Sequence, residues 1–301
     1  MAEDELIPPR DERTIRVAPD RVLGVAEFGP ADGKPIFWFH GTPGGRRQVP
    51  PAARRAADEY GVRLIGVERP GTGSSTGHLY RDIRAYADDI DVLADALDLD
   101  RFGIIGLSGG GPYVLACAHE LPHRVVGAVV LGGVAPTFGD HAGEGGIVDL
   151  TRRLQTLIGI TRQPLALFLT GFARVLRPFG PQALYLYTRV SPPGDRAAFA
   201  SPGLGTMFLD DLNSAAARGG LGSVTADLAL FGRAWGFTVS DITVPVRFWH
   251  GDADHIVPLA HAEALVAVMP DAEIHIRPGE SHLGTLVVGD EAVRTVVALW
   301  R

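Results

Sequence analysis

The chain has 301 residues, 46% hydrophobic and 21% charged, so it carries enough apolar material for a sizeable core. A net charge of −7 argues against a general nucleic-acid binder, and a single cysteine, Cys117, excludes internal disulfides and multi-thiolate metal sites. Glycine is in excess at 38 residues, with no G-X-Y period, so the glycines belong at special backbone positions of a folded domain.

In chain order, residues 14–29 alternate in period two around Asp20 and predict a strand pair. Residues 35–41, 62–67, 102–107 and 125–131 are short continuous apolar runs, the pattern of strands buried on both faces. Between them, 51–60, 82–97 and 109–120 read as helices. Strands alternating with helices imply parallel pairing and an α/β sheet. The alternation stops near Ala135, and helical stretches at 149–158, 164–176 and 221–234 follow, split by Gly and Pro clusters. It resumes with a strand at 244–250, a helix at 259–268, a strand at 272–276 and a closing helix at 291–301. The expected organisation is one α/β core, 1–136 and 241–301, interrupted by a helical cap, 137–240.

The amino-terminal Met1-Ala2-Glu3-Asp4-Glu5 is acidic and lacks the pattern of a signal peptide. The longest charge-free apolar stretch, 102–118, holds five glycines and a proline and reads poorly as a membrane helix. Of the 28 basic residues only Lys34 is lysine, and the arginines are scattered, which reads as codon bias. The expectation is a cytoplasmic protein acting on a small molecule, with no nucleic acid and no stable membrane insertion.

Gly106-Leu107-Ser108-Gly109-Gly110 fits G-x-S-x-G directly after a buried strand and directly before a helix. A sharp strand-to-helix turn lifts the serine oxygen off the sheet edge, and side chains at the flanking positions would collide. The helix N-terminus adds backbone N–H donors beside the serine. A phosphate-cradling loop is the weaker reading, because no G-x-x-x-x-G-K-[ST] and no fitting lysine is present.

His40-Gly41-Thr42-Pro43-Gly44-Gly45 follows the strand at 35–41. With this loop and the serine turn, the sequence resembles the α/β-hydrolase superfamily from Leu23 to Trp300. The resemblance implies the α/β-hydrolase fold, a mostly parallel central sheet flanked by helices with an inserted helical cap. It also implies an oxyanion hole from the backbone N–H groups of Thr42 and Gly109, with His40, Gly41 and Gly44 supporting the loop. Glu68-Arg69-Pro70-Gly71-Thr72-Gly73-Ser74 resembles the superfamily's D-R-P-G-x-G-x-S turn, with a bracing ion pair expected from its charged residues.

A serine nucleophile needs a base, and the base an orienting carboxylate. The superfamily places them in the order Ser, Asp or Glu, His. His250-Gly251-Asp252-Ala253-Asp254-His255-Ile256-Val257-Pro258 resembles H-G-x-x-D-x-x-V-P, which puts the acid at Asp254, ahead of Asp252. Gly279-Glu280-Ser281-His282 follows the last strand and puts the base at His282, ahead of His255, His261 and His275. The same run looks superficially like an H-x-H-x-D-H metal motif, but Asp252 stands where that motif has its middle histidine, so no metal and no cofactor is expected.

The expected reaction is hydrolysis of a carboxylic ester through an acyl-enzyme, because serine at 108 disfavours the dehalogenase and epoxide-hydrolase chemistry that runs through a carboxylate. Phe168, Phe172, Phe179, Tyr185, Tyr187, Met207, Phe208, Trp235 and Phe237 suggest an apolar acyl or alcohol pocket, and Asp140–Gly146 and Ser191–Gly205 could hinge the cap. A proline iminopeptidase-like enzyme ranks second; its amine recognition would need cap carboxylates such as Glu144, Asp149, Asp210 or Asp211. A carbon–carbon bond hydrolase shares the same triad, and a hydrolase-fold ligand receptor is the reading from outside enzymes.

Overall fold

The structure, a computed structural model, describes residues 6–137, 142–143 and 145–300. A hairpin, β1 (Asp11–Ala18) and β2 (Arg21–Phe28), leads into β3 (Lys34–Phe39), α1 (Pro51–Glu59), β4 (Val62–Val67), α2 (Tyr86–Ala96), β5 (Phe102–Leu107), α3 (Gly111–Glu120) and β6 (Val125–Leu131). After the helical segment come β7 (Val246–Gly251), α9 (Ala260–Val266), β8 (Ala272–Arg277) and α10 (Gly289–Leu299). The strand order is β1-β2-β4-β3-β5-β6-β7-β8. β2 pairs antiparallel with β1 and β4, and the pairs from β4 through β8 are parallel.

The period-two geometry of the strands sorts their side chains onto two cores. Phe37, Phe39, Phe102 and Ile104 face α2, α3 and α9 on one side of the sheet. Ile36, Trp38, Ile105 and Leu107 face α1 and α10 on the other. Helices on both faces explain why the central strands are continuously apolar. Cys117 lies in the first core, where burial pushes its thiol pKa up and leaves it inert.

Between β6 and β7 the chain runs through α4 (Gly146–Leu176), α5 (Gly180–Val190), α6 (Pro193–Phe199), α7 (Leu204–Arg218) and α8 (Gly222–Phe231). Two expectations change here. The separate helices at 149–158 and 164–176 are one helix, α4, which continues through Pro164. A proline removes one backbone bond and normally ends or kinks a helix; here packing against α7 and α8 outweighs that local cost. The Ser191–Gly205 stretch, expected as a hinge, folds mostly as α6 and the start of α7. Of the other expected hinge, Asp140–Gly146, residues 140, 141 and 144 lie outside the described residues, so Glu144 is not placed.

Candidate active site

β5 delivers Ser108 to the carboxyl edge of the sheet, at the start of a 3-10 turn that leads into α3. Its φ is +49°, in the left-handed region that few residues other than glycine adopt. The neighbouring glycines make that turn possible. A Cβ at Gly106 would press on Val114 and the Gly110 carbonyl, and one at Gly110 would press on the carbonyls of Phe39 and His40.

His282 opens a 3-10 turn after β8. Its Nε2 lies 2.8 Å from Ser108 Oγ and its Nδ1 2.7 Å from Asp254 Oδ2. A carboxylate only accepts, so Nδ1–H donates to Asp254, and Nε2 is left to accept from the serine hydroxyl. The other oxygen of Asp254 accepts the N–H groups of Ile256 and Val257, each at 2.9 Å. Asp254 is 4% exposed. Burial alone would raise its pKa, but His250, 3.5 Å away, and His282 outweigh it and hold the carboxyl below the usual range. His250 itself donates Nε2–H to the Val257 carbonyl at 2.7 Å, which fixes the loop carrying Asp254.

The competing residues sit elsewhere. Asp252 accepts the Gly279 N–H at 2.7 Å, and His255 is exposed. His261 accepts the Ala135 N–H on α9, and His275 stacks on Trp249. Of the 250–255 run, His250 and Asp254 approach each other, while Asp252 and His255 are directed elsewhere.

The loop after β3 places Thr42 beside Gly109: a Cβ on Gly109 would overlap the Thr42 hydroxyl and touch Phe231. The Thr42 hydroxyl is committed, donating to Asp227 at 2.5 Å and accepting from Arg69 at 3.0 Å. Among the described residues, neither the Thr42 nor the Gly109 N–H is taken up by another group. Thr42 and Gly109 thus lie beside each other near the N-terminal end of α3, where negative charge is favoured.

The loop is held from below. His40 donates Nδ1–H to the Gly41 carbonyl at 2.7 Å and accepts the Arg69 N–H on Nε2 at 3.1 Å. Burial, with Arg69 adding to it, holds its pKa well below the ordinary value, so it is a neutral brace. The Gln48 side chain accepts the Gly41 N–H and donates to the Pro43 carbonyl. Gly44 lies directly against that amide and leaves no room for a Cβ.

The expected bracing ion pair changes partner. Glu68 and Arg69 do not pair with each other: adjacent residues at a strand end point to opposite sides. Glu68 accepts the Ser74 N–H and faces Arg46 at 3.5 Å. Arg69 donates to the carbonyls of His40 and Gly41 and pairs with Asp227 of α8, which also accepts the Tyr113 hydroxyl. Sequence reasoning missed Asp227, although an aspartate inside the apolar run of α8 is the signature of a paired buried charge. It also missed Gln48 and Asp195, which carry no such signal, and named Asp211 only as a candidate for amine recognition. Asp195 Oδ1 accepts both the Ser281 hydroxyl and the Leu283 N–H, on either side of His282. Asp211 accepts the N–H groups of Gly45 and Arg47.

The expected aromatic pocket is also revised. Phe168, Phe172, Phe179, Tyr185 and Tyr187 are exposed. Met207 and Trp235 are buried in the two cores, and Phe208 and Phe237 pack against them.

This architecture defines the class of the protein, an α/β hydrolase. Residues 34–285 match the family model of the alpha/beta hydrolase fold, and the chain belongs to that family. It is 30% identical over 129 residues to a proline iminopeptidase of Arabidopsis thaliana, covering 42% of this chain and 33% of that protein. The chain thus spans about a third of that relative's length. It is 28% identical over 278 residues to a non-heme haloperoxidase of Rhodococcus erythropolis, covering 83% of this chain and 86% of that protein. A solved bromoperoxidase from Bacillus anthracis superposes with a TM-score of 0.69 at 19% identity, covering 96% of this chain and 100% of that one, a likeness of fold.

Proposed function

We propose that the protein hydrolyses carboxylic esters of small, largely apolar molecules through an acyl-enzyme on Ser108. The observation that carries this reading is the hydrogen-bonded series Ser108–His282–Asp254, with Thr42 and Gly109 adjoining the serine. His282 takes the Ser108 proton as the oxygen attacks the carbonyl, and Asp254 fixes the imidazole and stabilises the imidazolium. The N–H groups of Thr42 and Gly109 bind the oxyanion, each contributing about 3–4 kcal/mol to the barrier reduction. His282 then returns the proton to the leaving alcohol, and water activated by the same imidazole releases the acid. Residues 137–240 cap a core formed by 1–136 and 241–301, and Phe231 of α8 places an aromatic ring beside the oxyanion hole.

An ester is favoured over a peptide with a free amine because the cap carboxylates among the described residues hold protein partners. Asp149 faces Arg152, Asp210 pairs with Arg47, and Asp195, Asp211 and Asp227 are engaged as described above. Amine recognition needs a carboxylate that is still available.

A fluorophosphonate tests the reading directly. It is expected to add mass at Ser108, with no addition in Ser108→Ala. Absence of labelling in folded protein would favour a ligand receptor. Aryl esters of increasing acyl length, compared with prolyl-arylamides, separate esterase from peptidase, and faster arylamide turnover would reverse the ranking. A bromide and peroxide arm addresses the haloperoxidase reading, and activity is expected to survive chelators.

A further inference from the structure

Helix α4 leaves much of its apolar surface uncovered. A surface helix ordinarily buries its apolar stripe and exposes its polar one. In α4, Leu157, Ile160, Leu167, Phe168, Phe172 and Val175 repeat at three- and four-residue spacing and are exposed, Ile160 at 77% and Leu167 at 74%. The face turned inward against α7 and α8 is mixed, with Ile158 buried beside polar groups. Thr151 and Thr170 are buried, Thr170 accepts the Leu221 N–H, and Gln155 lies against Gly232. The exposed apolar surface continues through Phe179 into α5, where Leu186 and Val190 are also exposed.

The charges on the same segment are one-sided. Residues 146–190 contain six arginines, at 152, 153, 162, 174, 177 and 189, and one acidic residue, Asp149, in a chain whose net charge is −7. The arginine bias that reads as codon usage along the whole chain has a local arrangement here. Apolar leucine and phenylalanine with flanking cations and almost no anions is the composition of a helix that lies in the plane of a membrane interface.

We propose that the outer face of α4, continued by α5, docks on an anionic lipid surface. The arginines draw this face toward the lipid headgroups while the acidic remainder of the molecule is repelled, which orients the protein with these helices down. The leucine and phenylalanine side chains then enter the boundary between headgroups and acyl chains. The docking is peripheral, since no helix among the described residues is long and apolar enough to cross a membrane. A second copy of the chain is a poorer occupant. A two-fold contact of this face with itself would bring arginines against arginines.

Co-flotation with vesicles tests the proposal. Vesicles of phosphatidylcholine alone are compared with vesicles containing about one third phosphatidylglycerol, at low and at ~0.5 M salt. Wild type is expected to float with the phosphatidylglycerol vesicles at low salt and to be released at high salt. Ser108→Ala should float as wild type does, which separates docking from catalysis. The double variant Phe168→Ser, Phe172→Ser is expected to lose about tenfold or more in bound fraction, as is Arg153→Glu, Arg177→Glu. The charge-reversal pair keeps the test decisive if the serine variant misfolds, and fluorophosphonate labelling at Ser108 reports the fold of both. Failure to float with either vesicle, or flotation indifferent to phosphatidylglycerol, would overturn the proposal. So would a dimer in sedimentation velocity that the serine variant dissociates without any vesicle binding, because a second copy would then cover the face.

Discussion

Arg69 and Asp227, 158 residues apart in the chain, form a buried ion pair with Nη2 and Oδ2 2.8 Å apart. The pair joins α8 to the loop that carries Thr42, since Asp227 also accepts the Thr42 hydroxyl. Removing one partner leaves an uncompensated charge in the interior. Asp227→Ala is therefore expected to cost about 3–5 kcal/mol of stability, read from urea midpoints. Ester turnover should fall as well, because the loop loses its tie to α8.

Asp195 acts on the turn that carries His282. Both of its hydrogen bonds, from the Ser281 hydroxyl and the Leu283 N–H, end on one oxygen. Asp195→Ala is expected to lower kcat roughly tenfold with KM little changed, as expected when a base is misplaced by a fraction of an ångström. Asp195→Asn keeps one acceptor oxygen and should recover most of the rate. A charge effect would instead leave both variants equally impaired.

Gly109→Ala places a methyl group against the Thr42 hydroxyl. The side chain and its loop must shift, which displaces one of the two N–H groups proposed to bind the oxyanion. The expected loss in kcat is about 10²–10³-fold, the range for a missing donor. A thermal midpoint close to wild type would confirm that the defect is local.

Asp211 introduces a pH dependence of stability. Burial raises its pKa to about 7 against an ordinary value of 3.8, even though it accepts two backbone N–H groups. Between those values the folded state holds a proton that the unfolded state has released. Stability therefore falls as the pH rises from about 4 to about 7 and levels off above that. Asp211→Asn removes this slope, so its thermal midpoint should gain on wild type as the pH increases. Parallel profiles for the two proteins would refute the assignment.

Asp254 has the opposite sign. Its carboxyl is held below the ordinary range, so its contribution to stability is full above about pH 4 and is lost as the pH falls through the lowered value. Asp254→Asn should lose kcat by about 10⁴-fold at neutral pH, because the amide favours the wrong imidazole tautomer. The stability gap between wild type and variant should narrow in acid.

Much of the site was legible because its determinants are local. The G-x-S-x-G turn is a steric requirement of five consecutive residues. Gly106 and Gly110 show it in the carbonyls and side chains that a Cβ would strike. Asp254 and His282 come together across 28 residues because β7 and β8 are adjacent and parallel, so their loops leave the same edge of the sheet. The supports were less legible. Gln48 resembles any polar loop residue until it lies against Gly41 and Pro43. Asp195 and Asp211 look like surface carboxylates on helices until those helices dock.

The sequence by itself determined the strands, the crossovers and the positions of Ser108, Asp254 and His282 in their turns, because buried strands and tight turns leave a short-range imprint of apolar runs and glycines. Tertiary structure alone decided what lies between β6 and β7. Helical periodicity in α4 defines an apolar stripe and a polar stripe, but not which of them meets the rest of the molecule. That choice is made by the facing helices α7 and α8, which take Thr151, Ile158 and Thr170 and leave Leu157, Leu167, Phe168 and Phe172 outward. The partner of Arg69 was settled in the same way, because a buried charge is matched by whichever carboxylate packing brings within reach.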